Sequence, residues 1–529
     1  MRSPSESRPF RFATSLVLSF CLLTPVAAAR ASSIELSVVG TFTTGAFDES
    51  ASEIVAYDPG TQRVFVVNAQ AATVDVLDIT DPATPTLVNV IAVATWGASA
   101  NSVAVKNGVV AVAVEDDDKQ SPGMAVFFDV DGQFLSAVQA GALPDMVTFS
   151  PNGKWVLVAN EGEPSDDYLV DPEGSVSVID ISGGAASLTQ ADVRTADFSA
   201  FNGASLDPSV RVYGPGATAA QDFEPEYIAV GRGSRFAWVA MQENNALAIV
   251  HIPSATVVAV VGLGFKDHQK PGRGMDASNR DGGINIANWP VSGMYQPDSI
   301  ASYDFFGFPL LVLANEGDSR DYDGFSEEER VGDLVLDPTA FPDAANLQLD
   351  ENLGRLKTTV VNGDTDGDGD FDRIFSYGAR SFSIRSPTGH VLFDSGDQLE
   401  QITASALPGE FNSTNDENGS FDDRSDDKGP EPEALTLGRI GWRTYAFLGL
   451  ERVGGVAVFD ITNPFHVTFV QYLNNRDFSG DPVAGTAGDL GPEGMAFVSA
   501  EESPTGAPLL IVGNEVSGST TIYEIEVVD

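Results

Sequence analysis

The feature that most restricts the fold of this chain is a unit of three strand-like segments that returns along it. In each clear copy the first segment opens at a Pro-Asp or Pro-Glu pair, the second ends at a carboxylate, and the third alternates apolar and polar residues. Two weaker copies precede the five clear ones and bring the count to seven. The first segments of the clear copies lie at 143–149, 224–230, 296–303, 431–437 and 491–497.

A repeat of a few short strands cannot bury its own faces, so neighbouring copies must stack on one another. A closed ring of four-stranded blades is the usual solution. We therefore predict an all-β fold, a seven-bladed β-propeller with repeats like those of WD40 and YVTN proteins. The last copy stops at its third strand, and an unassigned strand-like segment lies at 34–42. This N-terminal strand is predicted to complete the last blade, so that residues 30–529 form a single propeller domain with long loops on one face.

Residues 1–29 have the character of a secretory signal peptide. Three arginines precede an apolar segment, and small residues follow it. We predict cleavage near Ala29 to Ala31, which makes the mature protein secreted, either extracellular or periplasmic. No other segment is long and apolar enough to span a bilayer. The one cysteine, Cys21, lies within this peptide, so we expect no thiol chemistry in the mature chain.

The charge of the chain excludes one class of partner. There are 76 acidic and 29 basic residues, which gives a formal net charge of −47, and removal of the signal peptide makes the chain more acidic still. Such a chain repels phosphate backbones, so nucleic acid is not expected as a partner. The acidity has two interpretations: solubility in a saline exterior, or cation binding at particular positions.

The acids of the repeat are predicted to meet at one end of the central tunnel. The first strand of a blade and the second run antiparallel, so the residue that opens the first and the residue that closes the second share a rim. The second blade adds Glu115 to this rim, and the first offers Asn68. The five clear copies supply Asp145 with Glu161, Glu226 with Glu243, Asp298 with Glu316, Glu433 with Glu451, and Glu493 with Glu515.

So many carboxylates around one opening repel one another. Each close pair costs about 1 kcal/mol in water and several times more where solvent is poor. Ca²⁺ relieves such repulsion because it accepts several carboxylate, carbonyl and water oxygens in flexible geometry. We therefore predict that the ring binds Ca²⁺, with another divalent metal as the alternative. For each acid taken alone the alternative is turn chemistry, since Pro-Asp and Asn-Glu-Gly sequences also form turns.

A second candidate calcium site is the acidic loop at 364–372. Its acids stand at alternate positions around glycines, an arrangement that suits an oxygen cage. Compared with an EF-hand loop, the twelfth position is Phe375 where a glutamate belongs. We predict a variant calcium loop, and the alternative is a solvated acidic turn. The candidate ligands are Asp364, Asp366, Asp368 and Asp370.

Four long insertions are predicted to lie on the same rim as the acids. Insertions gathered on one face of a repeat protein usually mark its binding or catalytic face. Arginine binds phosphate in a bidentate manner, and metals held by carboxylates activate water, so this rim suits hydrolysis of phosphoesters. The alternative is that the arginines only neutralise the acidic rim. The candidate catalytic residues are His268, Arg280, Asp281 and Arg320.

Five segments carry a resemblance to a known family. They are LPDMVTFSPNGKWVLVANEGEP (143–164), DHQKPGRGMDASNRDGGINIANWPVSGMYQPDSIASY (267–303), NEGDSRDY (315–322), DTDGDGDFDRIFSYGARSFSI (364–384) and DDRSDDKGPEPEAL (422–435). They resemble the choice-of-anchor I family of bacterial secreted proteins, which is related to mesenchyme-specific cell-surface glycoproteins. The resemblance implies a seven-bladed propeller outside the cell, an association with calcium or biomineral in the animal relatives, and an alkaline phosphatase label on some bacterial members.

Two functional hypotheses follow. The first is a secreted, acidic, calcium-binding β-propeller that acts as an extracellular or cell-surface binding module. Its partners would be divalent cations and an extracellular matrix, mineral or phosphoester ligand. The alternative is a metal-dependent phosphatase or phosphodiesterase, similar to alkaline phosphatase, that uses the acidic rim.

Overall fold

Strands dominate the computed structural model, which describes residues 33–528. The predicted signal peptide lies outside the described residues. The strands up to residue 262 are β1 (Ser33–Thr43), β2 (Val55–Asp58), β3 (Arg63–Asn68), β4 (Thr73–Asp78), β5 (Thr86–Ala92), β6 (Ser99–Lys106), β7 (Val109–Glu115), β8 (Pro122–Asp129), β9 (Phe134–Ala142), β10 (Pro144–Phe149), β11 (Trp155–Asn160), β12 (Ser175–Asp180), β13 (Val193–Asp197), β14 (Ile228–Val230), β15 (Phe236–Met241), β16 (Ala246–His251) and β17 (Thr256–Gly262).

The second half of the chain adds eighteen strands and two of the three α-helices of the described residues. The helices are α1 (Ala219–Asp222), α2 (Ala344–Leu347) and α3 (Gln398–Ala406). The strands are β18 (Phe265–Asp267), β19 (Val291–Met294), β20 (Ile300–Phe305), β21 (Phe308–Asn315), β22 (Asp321–Tyr322), β23 (Phe325–Ser326), β24 (Glu328–Arg330), β25 (Lys357–Thr359), β26 (Ile374–Ser376), β27 (Ser381–Arg385), β28 (Val391–Asp394), β29 (Pro432–Ile440), β30 (Arg443–Leu450), β31 (Val456–Asp460), β32 (Thr468–Leu473), β33 (Pro492–Val498), β34 (Leu509–Asn514) and β35 (Ser519–Val528).

Seven antiparallel sheets of four strands form a ring. Blades 1 to 4 are β2–β5, β6–β9, β10–β13 and β14–β17, blade 5 is β20, β21, β27 and β28, blade 6 is β29–β32, and blade 7 is β33–β35 with β1. The first strand of each blade contacts the first strand of the next, and contact between β2 and β33 closes the ring. The predicted all-β propeller is confirmed.

The N-terminal strand closes the ring as predicted. Strand β1 pairs antiparallel with β35, and the register runs from Ser33 opposite Val528 to Thr43 opposite Ser519. The last blade therefore joins both ends of the described chain through main-chain hydrogen bonds. The fourth strand of this sheet, β1, comes from the start of the described chain, and the other three, β33–β35, come from the end of the chain.

The middle strands of the blades are mostly buried and rich in apolar residues because both of their faces are covered by neighbouring blades. In β7 the residues from Val110 to Val114 are fully buried, and so are those from Leu311 to Ala314 in β21. β-branched and small residues suit this position, since they pack closely on a pleated surface. Complete burial of each valine or leucine side chain contributes about 1.5–3 kcal/mol.

The largest insertions form a small accessory layer with an apolar core of its own. A three-stranded sheet of β18, β19 and β26 combines both insertions of blade 5, and β19 pairs with β26 in parallel. Two ribbons, β22 with β23 and β24 with β25, extend the layer. Its core includes Met275, Val291, Val331, Leu353 and Ile374. Within residues 33–528, no helix has the length and apolar character needed to cross a bilayer.

Candidate metal site at the acidic mouth of the propeller

The starts of the first strands and the ends of the second strands meet at one end of the ring, which we call the upper rim. In blade 3, Pro144 pairs with Asn160, so the next residues, Asp145 and Glu161, lie at the same end of the sheet. The equivalent pairings place Glu433 beside the end of β30 and Glu493 beside the end of β34. Strand register thus brings the two sets of acids to a common rim.

A cavity of about 300 Å³ opens among these acids. Among the described residues, Lys119 is the one basic side chain in its lining, so basic side chains do not balance its carboxyl groups. The first blade contributes Glu53 and not the predicted Asn68, because the Asn68 side chain accepts a hydrogen bond from the Ala71 amide and stabilises a turn. The acidic residues of the lining are Glu53, Glu115, Asp145, Glu161, Glu163, Asp298 and Glu493.

Burial and mutual repulsion make these carboxylates hard to ionise. Burial, with the added charge of Glu515, raises the pKa of Glu53 to about 8. Burial also raises the pKa of Asp145 to about 7 and that of Asp298 to about 8, with like charges contributing to both. The pKa of Glu161 is raised well above its usual range for the same reasons. A cluster of this kind favours bound protons or bound metal over a set of free negative charges.

Blade 4 adds two buried glutamates whose oxygens lack partners. Glu226 is 9% exposed and Glu243 is 8% exposed. Within the described chain, the Oε2 atom of each is buried and makes no hydrogen bond. Burial, followed by the charge of Glu243, raises the pKa of Glu226 well above its usual range. A buried oxygen without a donor costs free energy, and a bound cation is one way to satisfy it.

The opposite half of the rim carries its own cations. Lys428 Nζ lies 2.6 Å from Glu316 Oε1 and 3.3 Å from Glu431 Oε2. Arg424 and Arg452 also bond to Glu431, at 2.7 and 3.1 Å, and Arg452 reaches Glu451 at 3.0 Å. Although burial acts to raise it, these three cations hold the pKa of Glu431 far below its usual range. This half is therefore largely neutralised by protein side chains.

Carboxylates from two neighbouring blades, 5 and 6, come close enough to share one ion. Oxygens of Asp298, Glu316 and Glu433 all lie within 4.8 Å of one another, and so do oxygens of Glu316, Glu431 and Glu451. Hard oxygen donors with this spacing fit Ca²⁺, whose ligands lie at about 2.3–2.6 Å. The Oε2 atom of Glu433 is buried and has no partner among the described residues. The group of Asp298, Glu316 and Glu433 thus offers oxygen donors of the kind that Ca²⁺ takes, with Glu316 also paired with Lys428.

Glu515 and Glu115 complete the rim and accept hydrogen bonds from neutral side chains. Glu515 accepts a hydrogen bond from the Ser50 hydroxyl at 2.8 Å. Glu115 accepts one from Asn101 Nδ2 at 3.3 Å. Burial and the charge of Glu515 raise the pKa of Glu493 well above its usual range. The acids of the cavity lining, together with Glu226 and Glu243 of blade 4, form what we call the acid-rich half of the rim. Its carboxyl groups continue into blades 7 and 2.

The backbone at the upper rim adopts an unusual conformation that recurs from blade to blade. The residue before the proline that opens the first strand is left-handed in blades 3, 5 and 6, with φ of 46° at Leu143, 38° at Gln296 and 47° at Glu431. Blade 7 has a glycine there, Gly491, with φ of 68°. Side chains other than glycine rarely adopt this region, and such strain tends to occur at functional sites.

The acidic loop at 364–372 forms two groups of carboxylates, which include the candidate ligands Asp364, Asp366 and Asp370 but not Asp368. Oxygens of Asp364, Asp366 and Asp372 lie within 4.8 Å of one another, and Asp337 forms a second group with Asp370 and Asp372. Asp364 also accepts hydrogen bonds from two glycine amides of the loop, which hold it in a bend. Asp337 was missed because it lies 27 residues before Asp364 in the sequence.

Replacement of Asp366 tests whether this loop holds an ion. We expect Asp366→Asn to lower the calcium content by about one equivalent per chain, because Asp366 is exposed and makes its cluster with carboxylates alone. Equilibrium dialysis with ⁴⁵Ca²⁺ measures the change. Asp323→Asn, an exposed acid of the same accessory layer, is the matched control. Equal calcium content in the two variants would show that the loop is a solvated turn that holds no ion.

None of the four candidate catalytic residues lines the acidic cavity. Arg320 is fully buried and forms ion pairs with Asp222 and Glu224. His268 is also fully buried, and its Nδ1 atom bonds to the Arg273 carbonyl. Arg280 is exposed, and the neighbouring Asp281 is half-buried.

The residues missed by the sequence analysis are those whose position depends on long loops. Glu163 lies two residues after the predicted ligand Glu161. Its place in the same loop could have indicated that it also lies at the upper rim. Lys428 and Glu431 precede the first strand of blade 6, beside a predicted metal ligand. No sequence pattern indicated that Lys428 would reach Glu316, 112 residues away.

Comparison with known proteins places the chain in a family. Residues 53–464 match the choice-of-anchor I domain. Gigasin-3a of Magallana gigas is 31% identical over 199 residues, which cover 35% of this chain and 68% of that protein. The mesenchyme-specific cell surface glycoprotein of Strongylocentrotus purpuratus is 27% identical over 278 residues, 46% of this chain, so the chain spans only 35% of that relative's length.

Solved structures resemble the chain more distantly. A chain of Kuenenia stuttgartiensis hydrazine synthase superposes with a TM-score of 0.47 at 12% identity and covers 91% of this chain and 98% of its own. Such a likeness is too distant to carry a functional inference. The match to the domain family extends over more than half of the chain, and with it the relation predicted from the five sequence segments is confirmed. The protein belongs to the choice-of-anchor I domain family.

Proposed function

We propose that this protein is an extracellular binding module that holds Ca²⁺ at the upper rim of its propeller. The observation that carries the proposal is the acid-rich half of that rim, where buried carboxylates face one another without a matching set of basic side chains. The other half of the rim, which contains Lys428, Arg424 and Arg452, supports the proposal because its charge is already balanced. Where Lys428, Arg424 and Arg452 are present the charge is balanced within the chain, and elsewhere a cation must come from solution.

The names of the relatives support the location. One relative is described as a cell surface glycoprotein, and the family is named for a choice of anchor. An exterior location also suits calcium binding, because sites of extracellular modules bind at about 10⁻⁴–10⁻³ M. A protein of this kind would present its metal, or the surface that the metal orders, to a matrix or mineral ligand.

Calcium titration of a rim variant tests the proposal. We expect Glu243→Gln to weaken calcium binding at the rim about tenfold or more, since it removes one ligand charge from the acid-rich half. The same change should leave the metal-free protein as stable as the wild type or more stable, because it relieves repulsion with Glu226. Isothermal titration calorimetry and thermal melts in EDTA measure the two effects.

An acid far from the upper rim serves as the control for this titration. Glu501→Gln removes an exposed acid from the other end of the propeller and should leave calcium binding unchanged. At a calcium concentration 100 times Kd, binding should stabilise the wild type by about 2.7 kcal/mol, which is roughly a 3 °C rise in Tm for a chain of this size. The proposal fails if chelator and calcium leave the wild-type Tm unchanged.

Hydrolysis of phosphoesters has less support from the geometry. Its candidate residues do not line the acidic cavity, and Arg320 is paired with two buried carboxylates. Metal held by the rim would still supply a Lewis acid for such chemistry. Turnover of a generic phosphomonoester before and after metal removal can be measured on the same samples. Turnover that is lost in EDTA and restored by one metal would make the rim an active site.

A further inference from the structure

The end of the propeller opposite the acidic mouth, which we call the lower rim, has a different charge. Its inner part is formed by the hairpins that join the first and second strands of each blade, and the connections between the third and fourth strands form its outer part. In blades 2, 3, 4 and 6 these hairpins carry basic residues, while blade 5 contributes the acid Asp304. The hairpin of blade 1 carries Asp58 and Arg63, and that of blade 7, its neighbour in the ring, carries the acids Glu501 and Glu502. The basic residues are Lys106, Lys154, Arg232, Arg235, Arg439 and Arg443.

A cavity of about 710 Å³ opens at this basic side, larger than the acidic cavity of about 300 Å³. We call it the lower pocket. Its volume is in the range of sites that bind small molecules and oligomer segments. Residues from blades 3, 4, 5 and 6 line it, among them Arg232, Tyr303, Phe306, Arg439 and Trp442.

Two aromatic side chains stand at the edge of the lower pocket in open solvent. Phe306 is 88% exposed and Trp442 is 68% exposed, each at the tip of a hairpin. Phe306 also has a left-handed backbone with φ of 50°, a conformation that is unfavourable for a bulky residue and that hairpin turns usually give to asparagine or glycine. Phe306 packs edge-on against Phe305, with ring centres 4.7 Å apart, and still leaves most of its ring in solvent, which favours a role in contact with a ligand.

The arginines of the lower pocket keep donors free for a ligand. The Arg232 side chain is 83% exposed, and its ion pair with Asp304 is long, at 3.6 Å. Arg439 is exposed, and its Nε atom donates to the Gly441 carbonyl at 3.3 Å. Bidentate binding of a carboxylate or sulfate uses the donors of an arginine fork. A carboxylate in the pocket could therefore meet two guanidinium groups beside two aromatic rings.

We propose that the lower pocket binds an anionic saccharide, a pyranose chain that carries carboxylate or sulfate groups. Trp442 and Phe306 offer apolar faces for sugar rings, and Arg232 and Arg439 offer donors for the acid groups. A concave site with polar lining suits a saccharide better than a flat membrane, which would contact the hairpin tips and leave the cavity unused. This site lies at the other end of the ring from the calcium site and does not depend on it.

Binding of defined oligosaccharides tests the proposal. In buffer with EDTA, so that calcium bridging is excluded, calorimetry would use tetragalacturonate for carboxylate groups and a heparin-derived tetrasaccharide for sulfate groups. We expect at least one to bind, and the neutral maltotetraose to bind at least tenfold more weakly. Trp442→Ala and Arg439→Gln should each weaken binding about tenfold. Both side chains are exposed, so the variants should keep the wild-type melting profile.

A control variant changes an exposed apolar residue far from the lower pocket. Leu169→Ala removes an apolar side chain that is 82% exposed on a loop of the upper rim, and it should bind as the wild type does. The proposal is overturned if neither anionic tetrasaccharide binds, or if Trp442→Ala binds as tightly as the wild type. Sedimentation with phosphatidylserine-containing vesicles, lost in Trp442→Ala and without saccharide binding, would identify the patch as a membrane contact instead.

Discussion

The metal-free protein is expected to lose stability as the pH rises from about 5 to about 8. In EDTA we expect the Tm to fall by roughly 5 °C across this window, and in saturating calcium we expect a much smaller fall. The groups responsible are the carboxylates of the upper rim, whose pKa values are raised to about 7 at Asp145 and about 8 at Glu53, Asp298 and Glu451.

The direction of this effect follows from proton binding. Between the ordinary pKa of an acid and its raised pKa in the fold, the folded chain holds a proton that the unfolded chain has lost. Stability is then fully present below about pH 4 and declines toward pH 8, at about 1.4 kcal/mol per pH unit for each independent group. Because the rim carboxylates repel one another and titrate together, the net loss is smaller than the sum over groups.

Thermal melts at several pH values, with EDTA and with calcium, measure this prediction. Glu243→Gln should flatten the profile in EDTA, because one charge of the acid-rich half is gone. Glu501→Gln should not change it. A metal-free Tm that is constant or rises between pH 5 and 8 would contradict the proposed electrostatics of the rim.

Replacement of Arg320 by alanine is expected to lower the free energy of unfolding by about 3–5 kcal/mol. Arg320 is fully buried against Asp222 and Glu224, and it stacks 4.6 Å from the centre of the Tyr213 ring. Its removal leaves two buried carboxylates without their cation, which is far more costly than loss of a surface pair. Denaturant unfolding, or a fall in Tm of roughly 3–5 °C, measures the loss.

Arg280 provides the contrast, because the sequence suggested the same role for both arginines. Arg280 is exposed, so Arg280→Ala should change stability by less than about 0.5 kcal/mol. If Arg320→Ala proved as stable as Arg280→Ala, the buried network would have little importance for folding. Comparison of the two variants separates a structural arginine from one that faces solvent.

Most of the fold and part of the site could be predicted from local patterns. The alternation of apolar and polar residues identifies the strands, and consecutive strands of a blade run antiparallel. The pairs Asp145 with Glu161 and Glu433 with Glu451 could therefore be assigned to a common rim. The role of Arg320 could not, because its partner Asp222 lies 98 residues earlier. The exposed tip of Phe306 was also missed, since a sequence pattern does not tell which turn borders a cavity.

The amino-acid sequence by itself determined the propeller, its closure by the N-terminal strand and the end of the ring at which the acids lie, because these follow from periodicity and strand direction. Only the tertiary structure decided which acids are neutralised. Lys428 and Arg424 reach one half of the rim through a long insertion, Arg452 reaches it from the end of β30, and the other half has no such set of cations among the described residues. The physical reason is that ion pairing depends on distances of a few ångströms between loops, and loop paths are not encoded in a repeat.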